Sequence, residues 1–239
     1  MTSDAREPLA SRIFERAYAW LAAPIDSLPL GCARIGLGLT LVAAYVQYLP
    51  DAELFFGPSG IGGHDTVARH AYFWGITYEW FTRLRLLDRF SSPGVMWLLY
   101  ALLLLASVSF AAGFKPRIAG AVAGPLHMVF YAHNPVLDGG WAQLIGPFVV
   151  YLVLSDSGAR LSVDAWLRER KGETGERLRV APWGMRLLQV HLCVMYLVPG
   201  FERLDAEGWL QGEMVFRALL NTEYGRWSLD WAAVRPALK

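Results

Sequence analysis

Apolar residues in this chain are gathered into long blocks, and that constrains the fold more than any other feature. Five runs stand out, at about 29–49, 94–112, 116–132, 139–155 and 183–201. A run near 20 residues with almost no charge is long enough to cross a hydrocarbon core of roughly 30 Å as a helix. Only helices and closed barrels satisfy their backbone groups in lipid, and these runs show no strand-like alternation. The expected fold is all-α: a polytopic membrane helical bundle of about five transmembrane helices, with amphipathic interfacial helices beside them. Only 18% of the 239 residues are charged, against about a quarter in soluble domains.

Net charge is +1, which argues against nucleic acid as a partner. The lipid bilayer is the expected partner. The two cysteines, Cys32 and Cys193, each lie inside an apolar run and read as small hydrophobes rather than a disulfide or metal pair. The five histidines have no tight ligand spacing, so no metal is expected. No nucleotide-binding, hydrolase or dithiol motif is present.

Residues 1–27 form an amphipathic N-terminal segment, with charges on one side of 8–23 and Leu, Ile, Phe, Tyr and Trp on the other. That pattern suits either a membrane-surface helix or a packing helix. Residues 28–215 form the transmembrane domain, and 216–239 an amphipathic tail. In the first run Arg34 is expected to snorkel towards the headgroups. Gly31, Arg34, Gly38 and Tyr45 share one face, where small residues admit a neighbouring helix. Gly120 and Gly124 make a GxxxG step with the same implication. The aromatic-rich stretch 64–90 reads as interfacial or re-entrant.

Orientation follows from the loops. Segment 156–181 carries six cations, Arg160, Arg168, Arg170, Lys171, Arg177 and Arg179, whereas the turn before the fourth run carries none. Positive loops stay inside. The N-terminus is therefore expected in the cytoplasm and the C-terminus outside, with the chain in the plasma (inner) membrane. This choice collects Asp51, Glu53, His64, Asp65, His133, Asn134, Asp138, Glu202, Arg203, Asp205 and Glu207 at one outer mouth.

In the fifth run, Arg186, Gln189, Cys193, Tyr196, Gly200 and Arg203 fall within an arc of about 100° on a helical wheel. The opposite side is mostly Leu, Val and Met. A narrow polar stripe on a greasy helix is what lines an interior site. Arg186, Gln189, Tyr196, Asn134, Asp138, Glu202, Glu207 and Trp209 are the candidate cavity-lining residues. His133 and Asp138 stand five apart, as an acid–base pair could; the same HNPVLDGG segment also reads as a plain turn. Glu202, Arg203 and Asp205 read either as an interfacial ion-pair cluster or as an anion clamp. Arg203, His133 and Asp205 are the catalytic candidates, if there is catalysis.

The segments ARIGLGLTLVAAYVQYLPDAELFFGPSG, HNPVLDGGWAQL, LSDSGARLSVD and RLLQVHLCVMYLVPGFERLDAEGWLQG, in that order, resemble the horizontally transferred transmembrane (HTTM) domain family, related to vitamin K-dependent gamma-glutamyl carboxylase. The resemblance covers about residues 28–215, and the chain looks like a short bacterial member. It implies a multi-helix membrane fold with its site near the outer side. Carboxylases of this kind use a Lys base where this chain has Arg203, and an Asn-His pair where it has Gly140-Trp141. Both departures count against carboxylation, since arginine is a poor base. Three readings follow: a membrane protein that binds a lipid, a quinone or a membrane-protein partner; a quinone-linked carboxylase or oxidoreductase; or, last, a transporter component, against which stands the lack of charged residues deep in the second and fourth runs. A quinone is the one cofactor suggested.

Overall fold

The computed structural model describes residues 9–57, 60–61, 87, 92–134, 140–173, 175–204 and 208–214. Among these are eight α-helices and one pair of two-residue strands. The expected interfacial stretch 64–90 lies outside the described residues, apart from Leu87.

Helix α1 is Leu9–Ala22, followed by strand β1, Ile25–Asp26. Helix α2, Leu28–Val46, begins with proline at its second position, where the missing N–H costs no helical bond. A 3₁₀ turn, Leu49–Asp51, and the short α3, Ala52–Phe56, follow. Helix α4 is Pro93–Ala112, α5 is Pro116–His133 and α6 is Gly140–Leu154. Helix α7, Val163–Arg170, is capped by Ser162, whose hydroxyl accepts from the Ala165 amide at 3.0 Å. Strand β2, Arg179–Val180, pairs antiparallel with β1, Val180 opposite Ile25. Helix α8 is Trp183–Leu204.

All five apolar runs are helical within a few residues of their expected bounds. Among the described residues three helices are long and apolar enough to cross a membrane: α2, α4 and α8. Within α6, Leu144–Leu154 is a shorter apolar stretch. Composition on the outer faces supports the membrane assignment. Leu98, Leu102, Leu105 and Val108 are exposed along one side of α4, while Met96, Tyr100, Leu103, Ser107 and Phe110 are buried on the other. A helix greasy on its open face is unsuited to water and suited to lipid.

Met1–Leu188 and Gln189–Lys239 are two separate compact units, α8 beginning in the first. In the first, α2, α4, α5 and α6 pack as an antiparallel bundle. Glycines set the close approaches. A Cβ on Gly38 of α2 would come within 2.7 Å of Ala111 of α4, and one on Gly120 of α5 within 2.4 Å of Val153 of α6. Gly124 faces Val149 in the same groove. Both small-residue faces expected from the sequence therefore meet a neighbouring helix.

Arg34 does not snorkel. It is 0% exposed. Its Nε donates to the Ser157 carbonyl at 3.1 Å, one terminal nitrogen to Phe110 at 2.7 Å and to Ala111, and the other to Leu161. The reason is local to α4. That helix ends at Gly113, in the left-handed conformation at φ 73°, where the Gly113 and Phe114 amides turn back to Phe110 and Ser109, and carbonyls at its end have acceptor capacity left over. A guanidinium, with donors fanned in one plane, satisfies them together with the 157–161 loop. The helix C-terminus also favours a cation there.

The same end of the bundle carries an ionic ring. Asp156 pairs with Arg117 at 2.7 Å and lies 3.8 Å from Arg177. Arg160 bridges Glu176 at 2.9 Å and Asp26 at 3.4 Å. The Asp164 carboxylate accepts from the Lys115 amide and so caps α5 from another segment. Segment 156–181, expected to be a hydrophilic loop, is thus a built element that closes one end of the bundle.

Candidate functional site

The opposite end of the bundle is aromatic. There the C-terminal parts of α2 and α5 meet the N-terminal parts of α4 and α6, with α3 folded against them. The rings of Tyr45, Phe56, Tyr100 and Phe130 contact one another edge-on or tilted, with centroids 5.2–6.2 Å apart.

A polar chain threads this aromatic centre. Nε2 of His127 lies 3.0 Å from the Ala142 carbonyl, and Nδ1 lies 2.9 Å from the Tyr45 hydroxyl. A carbonyl only accepts, so Nε2 carries the proton. In the neutral ring Nδ1 is then the acceptor and the Tyr45 O–H the donor. The two partners hold the imidazole in one orientation. The Tyr100 hydroxyl in turn donates to the Tyr45 carbonyl. At the end of α5, Asn134 is fully buried and its amide donates to the Phe55 carbonyl at 2.9 Å, tying α5 to α3.

Beside these groups lies a cavity of about 20 Å³, lined by Ala44, Tyr45, Tyr48, Phe56, His127, Phe130, Tyr131, Asn134 and Ala142. That is room for one small oxygen-bearing group. The walls are mostly rings; among the lining residues the Tyr45 hydroxyl, both His127 nitrogens and the Asn134 amide are already bonded to one another or to backbone carbonyls. Apolar walls with few, fixed polar groups are the usual make-up of a small-molecule site.

The residues expected to form the site are distributed as follows. Asn134 lines the cavity, and His133 is buried next to it at the end of α5. Asp138, Asp205 and Glu207 lie outside the described residues. Arg186 sits in the first turn of α8, where its Nε donates to the Trp20 carbonyl at 3.1 Å and its guanidinium stacks 4.1 Å over the Trp20 ring. In the second unit, Gln189, Tyr196, Glu202 and Arg203 follow along α8, with the side chains of all four exposed. Arg203 lies 4.7 Å over the ring of Trp209, a cation–π pair. Among the described residues no group of three or more His, Cys, Asp and Glu could hold a metal ion.

Nothing in the sequence singles out Tyr45 and His127 as site residues. Tyr45 sat on the glycine-bearing face of α2, and that face was the available signal. His127 carried none, because its partners lie 82 and 15 residues away.

These features define an integral membrane helix bundle, closed at one end by an arginine-centred polar plug and holding a tyrosine–histidine pair at the other. The HTTM domain profile matches residues 22–227, and the chain belongs to the HTTM family. No curated protein and no solved structure gave a match.

Proposed function

We propose that the chain crosses the inner membrane five times, with its N-terminus in the cytoplasm, and that its aromatic pocket binds the oxygen-bearing tip of a lipid or quinone headgroup from the outer side. One observation carries this reading. The cavity beside Tyr45, His127 and Asn134 is walled by rings, and it sits at the bundle end opposite the cationic 156–181 segment, which the positive-inside rule assigns to the cytoplasm. At about 20 Å³ it admits a carbonyl or hydroxyl rather than a whole ring, so the rest of such a ligand lies along the bundle in lipid.

The reading favours binding over catalysis. The Arg203 guanidinium stacks on Trp209, which suits holding an anion, and arginine is a poor base. If the protein were a quinone-linked carboxylase or oxidoreductase, purified chain supplied with reduced quinone would show turnover that falls in Arg203→Ala.

The test of binding is mass spectrometry of the chain purified from native membranes. The expected result is a stoichiometric lipid or quinone in wild type and its loss in Ala44→Phe, which fills the cavity. Equal ligand content in the two proteins would overturn the pocket assignment. A co-purifying membrane protein in place of a small molecule would favour the partner reading instead.

A further inference from the structure

Every side chain of α1 from Arg12 to Ala22 is exposed, and among the described contacts the one that touches another helix is Trp20, whose ring lies under the Arg186 guanidinium. On a helical wheel Ile13, Phe14, Ala17, Tyr18, Trp20 and Leu21 span an arc of about 160°, and Arg12, Glu15 and Arg16 occupy the rest. Phe14 is 79% exposed. An apolar half-helix bordered by arginines requires a partner that is itself greasy below and anionic above.

Its place in the chain says what that partner is. Only five residues separate Ala22 from Leu28, the start of a helix able to cross a membrane. Its other tether is the Arg186 contact with Trp20, three residues into α8, a second such helix. The β1–β2 pair and the Arg179 bond to the Pro24 carbonyl at 3.2 Å hold the intervening turn to the ionic end of the bundle. Two membrane helices thus start beside the C-terminus of α1, which fixes that end at headgroup depth.

We propose that α1 lies in the plane of the leaflet at the ionic end of the bundle, with Ile13, Phe14 and Leu21 in the acyl boundary and Arg12 and Arg16 on anionic headgroups. The partner is the lipid surface itself. The inference rests on bilayer embedding of α2 and α8 and is independent of the aromatic pocket. Interfacial helices of this kind bind through buried apolar area plus attraction to anionic lipid.

The test uses the full chain with Cys32→Ser and Cys193→Ser, because both cysteines are exposed. A nitroxide is placed by Phe14→Cys, Glu15→Cys or, as an embedding control, Leu105→Cys. The protein is reconstituted in nanodiscs of phosphatidylcholine alone or mixed equally with phosphatidylglycerol. Oxygen and a nickel chelate report acyl and aqueous access. The expected result is a several-fold higher oxygen-to-chelate ratio at position 14 than at 15. That contrast should be larger with phosphatidylglycerol and reduced by Arg12→Gln with Arg16→Gln. Equal ratios at 14 and 15, with position 105 still in the acyl region, would overturn the docking while leaving the embedding intact. Aqueous access at 105 would overturn both. Spin broadening at 14 that disappears on dilution with unlabelled chain would mean that a second copy covers the face, and would also overturn the proposal. Equal contrast in the two lipid mixtures would remove its anionic component.

Discussion

The Tyr45 hydroxyl donates to Nδ1 of His127 across 2.9 Å, between helices whose residues are 82 positions apart. Both side chains are buried. The bond joins α2 to α5, and the second nitrogen of the same ring joins α5 to α6 through Ala142. One imidazole therefore holds three helices at the aromatic end. Tyr45→Phe strips the donor and leaves Nδ1 facing rings. The expected loss is about 1–3 kcal/mol of stability, read as a lowered unfolding midpoint in detergent. In a double-mutant cycle with His127→Phe the two losses should fall short of additive. Simple additivity would mean that the bond does not couple the helices.

Arg34 serves the other end in the same way, with four carbonyl acceptors instead of one ring. Removing the guanidinium deprives several buried carbonyls of their donor, at about 1–3 kcal/mol for each one left unsatisfied. Arg34→Ala should therefore leave little folded protein. Arg34→Lys should recover part of the loss, because an ammonium reaches some of these oxygens but cannot fan across α4 and the 157–161 loop together. Full recovery by lysine, judged by monodisperse yield and unfolding temperature, would show that charge alone matters there.

Gly113 and Gly36 make a matched pair of glycine tests. At Gly113 a Cβ would meet the Arg34 guanidinium at 2.7 Å and Ser162 at 2.5 Å, at a backbone φ of 73°. At Gly36 a Cβ would meet nothing within 4 Å. Gly113→Ala should lose at least about 1–2 kcal/mol from the left-handed backbone alone. Gly36→Ala should gain up to about 1 kcal/mol from helix propensity. The two variants are compared by thermal unfolding under the same conditions, and shifts of the same sign would contradict the assignment.

Close approach at Gly38 predicts a third effect. The contacting atoms of Ala111 include its backbone N and Cα, between 2.7 and 2.8 Å from a built Cβ. Backbone cannot swing aside as a flexible side chain can. Gly38→Val should therefore force α2 from α4 and cost about 1–3 kcal/mol or more. A disulfide-trapping pair across these helices would form more slowly in the variant if the helices separate.

The five-span reading predicts a labelling pattern. With the native cysteines replaced, Glu53→Cys and Glu202→Cys should both react with an impermeant maleimide on intact cells, and Glu173→Cys only after lysis. Glu53 and Glu173 belong to opposite ends of the first unit, next to the aromatic centre and the ionic ring respectively. Reaction of Glu53→Cys and Glu173→Cys from the same side would refute the topology.

Much of the fold could be read ahead of the structure, for a physical reason. Helix-length apolar runs announce themselves through local composition, and the glycine spacings at 31–38 and 120–124 announce close neighbours. Each is a property of a short window. Arg34 shows where that ends. From the window alone, an arginine near the start of an apolar run belongs at the headgroups; here the Phe110 and Ala111 carbonyls at the end of α4 accept its guanidinium. Asn134 is similar. In sequence Asn-Pro looks like the start of a surface turn, yet the Asn134 amide is spent on Phe55, 79 residues earlier. The candidate stripe on α8 was visible as periodicity, but periodicity names a face without naming what it meets.

By itself, then, the amino-acid order determined that this is a membrane helix bundle, where its long apolar helices run and which family it joins, because hydropathy and helical period act over tens of residues; the short α3, Ala52–Phe56, falls where proline and glycine predict only a loop. Only the tertiary structure decided which polar groups are enclosed. The bonds of Arg34 span 76 to 127 positions and that of Tyr45 spans 82. Such pairings depend on how helices stack, and a buried donor takes whichever acceptor the packing brings within about 3 Å.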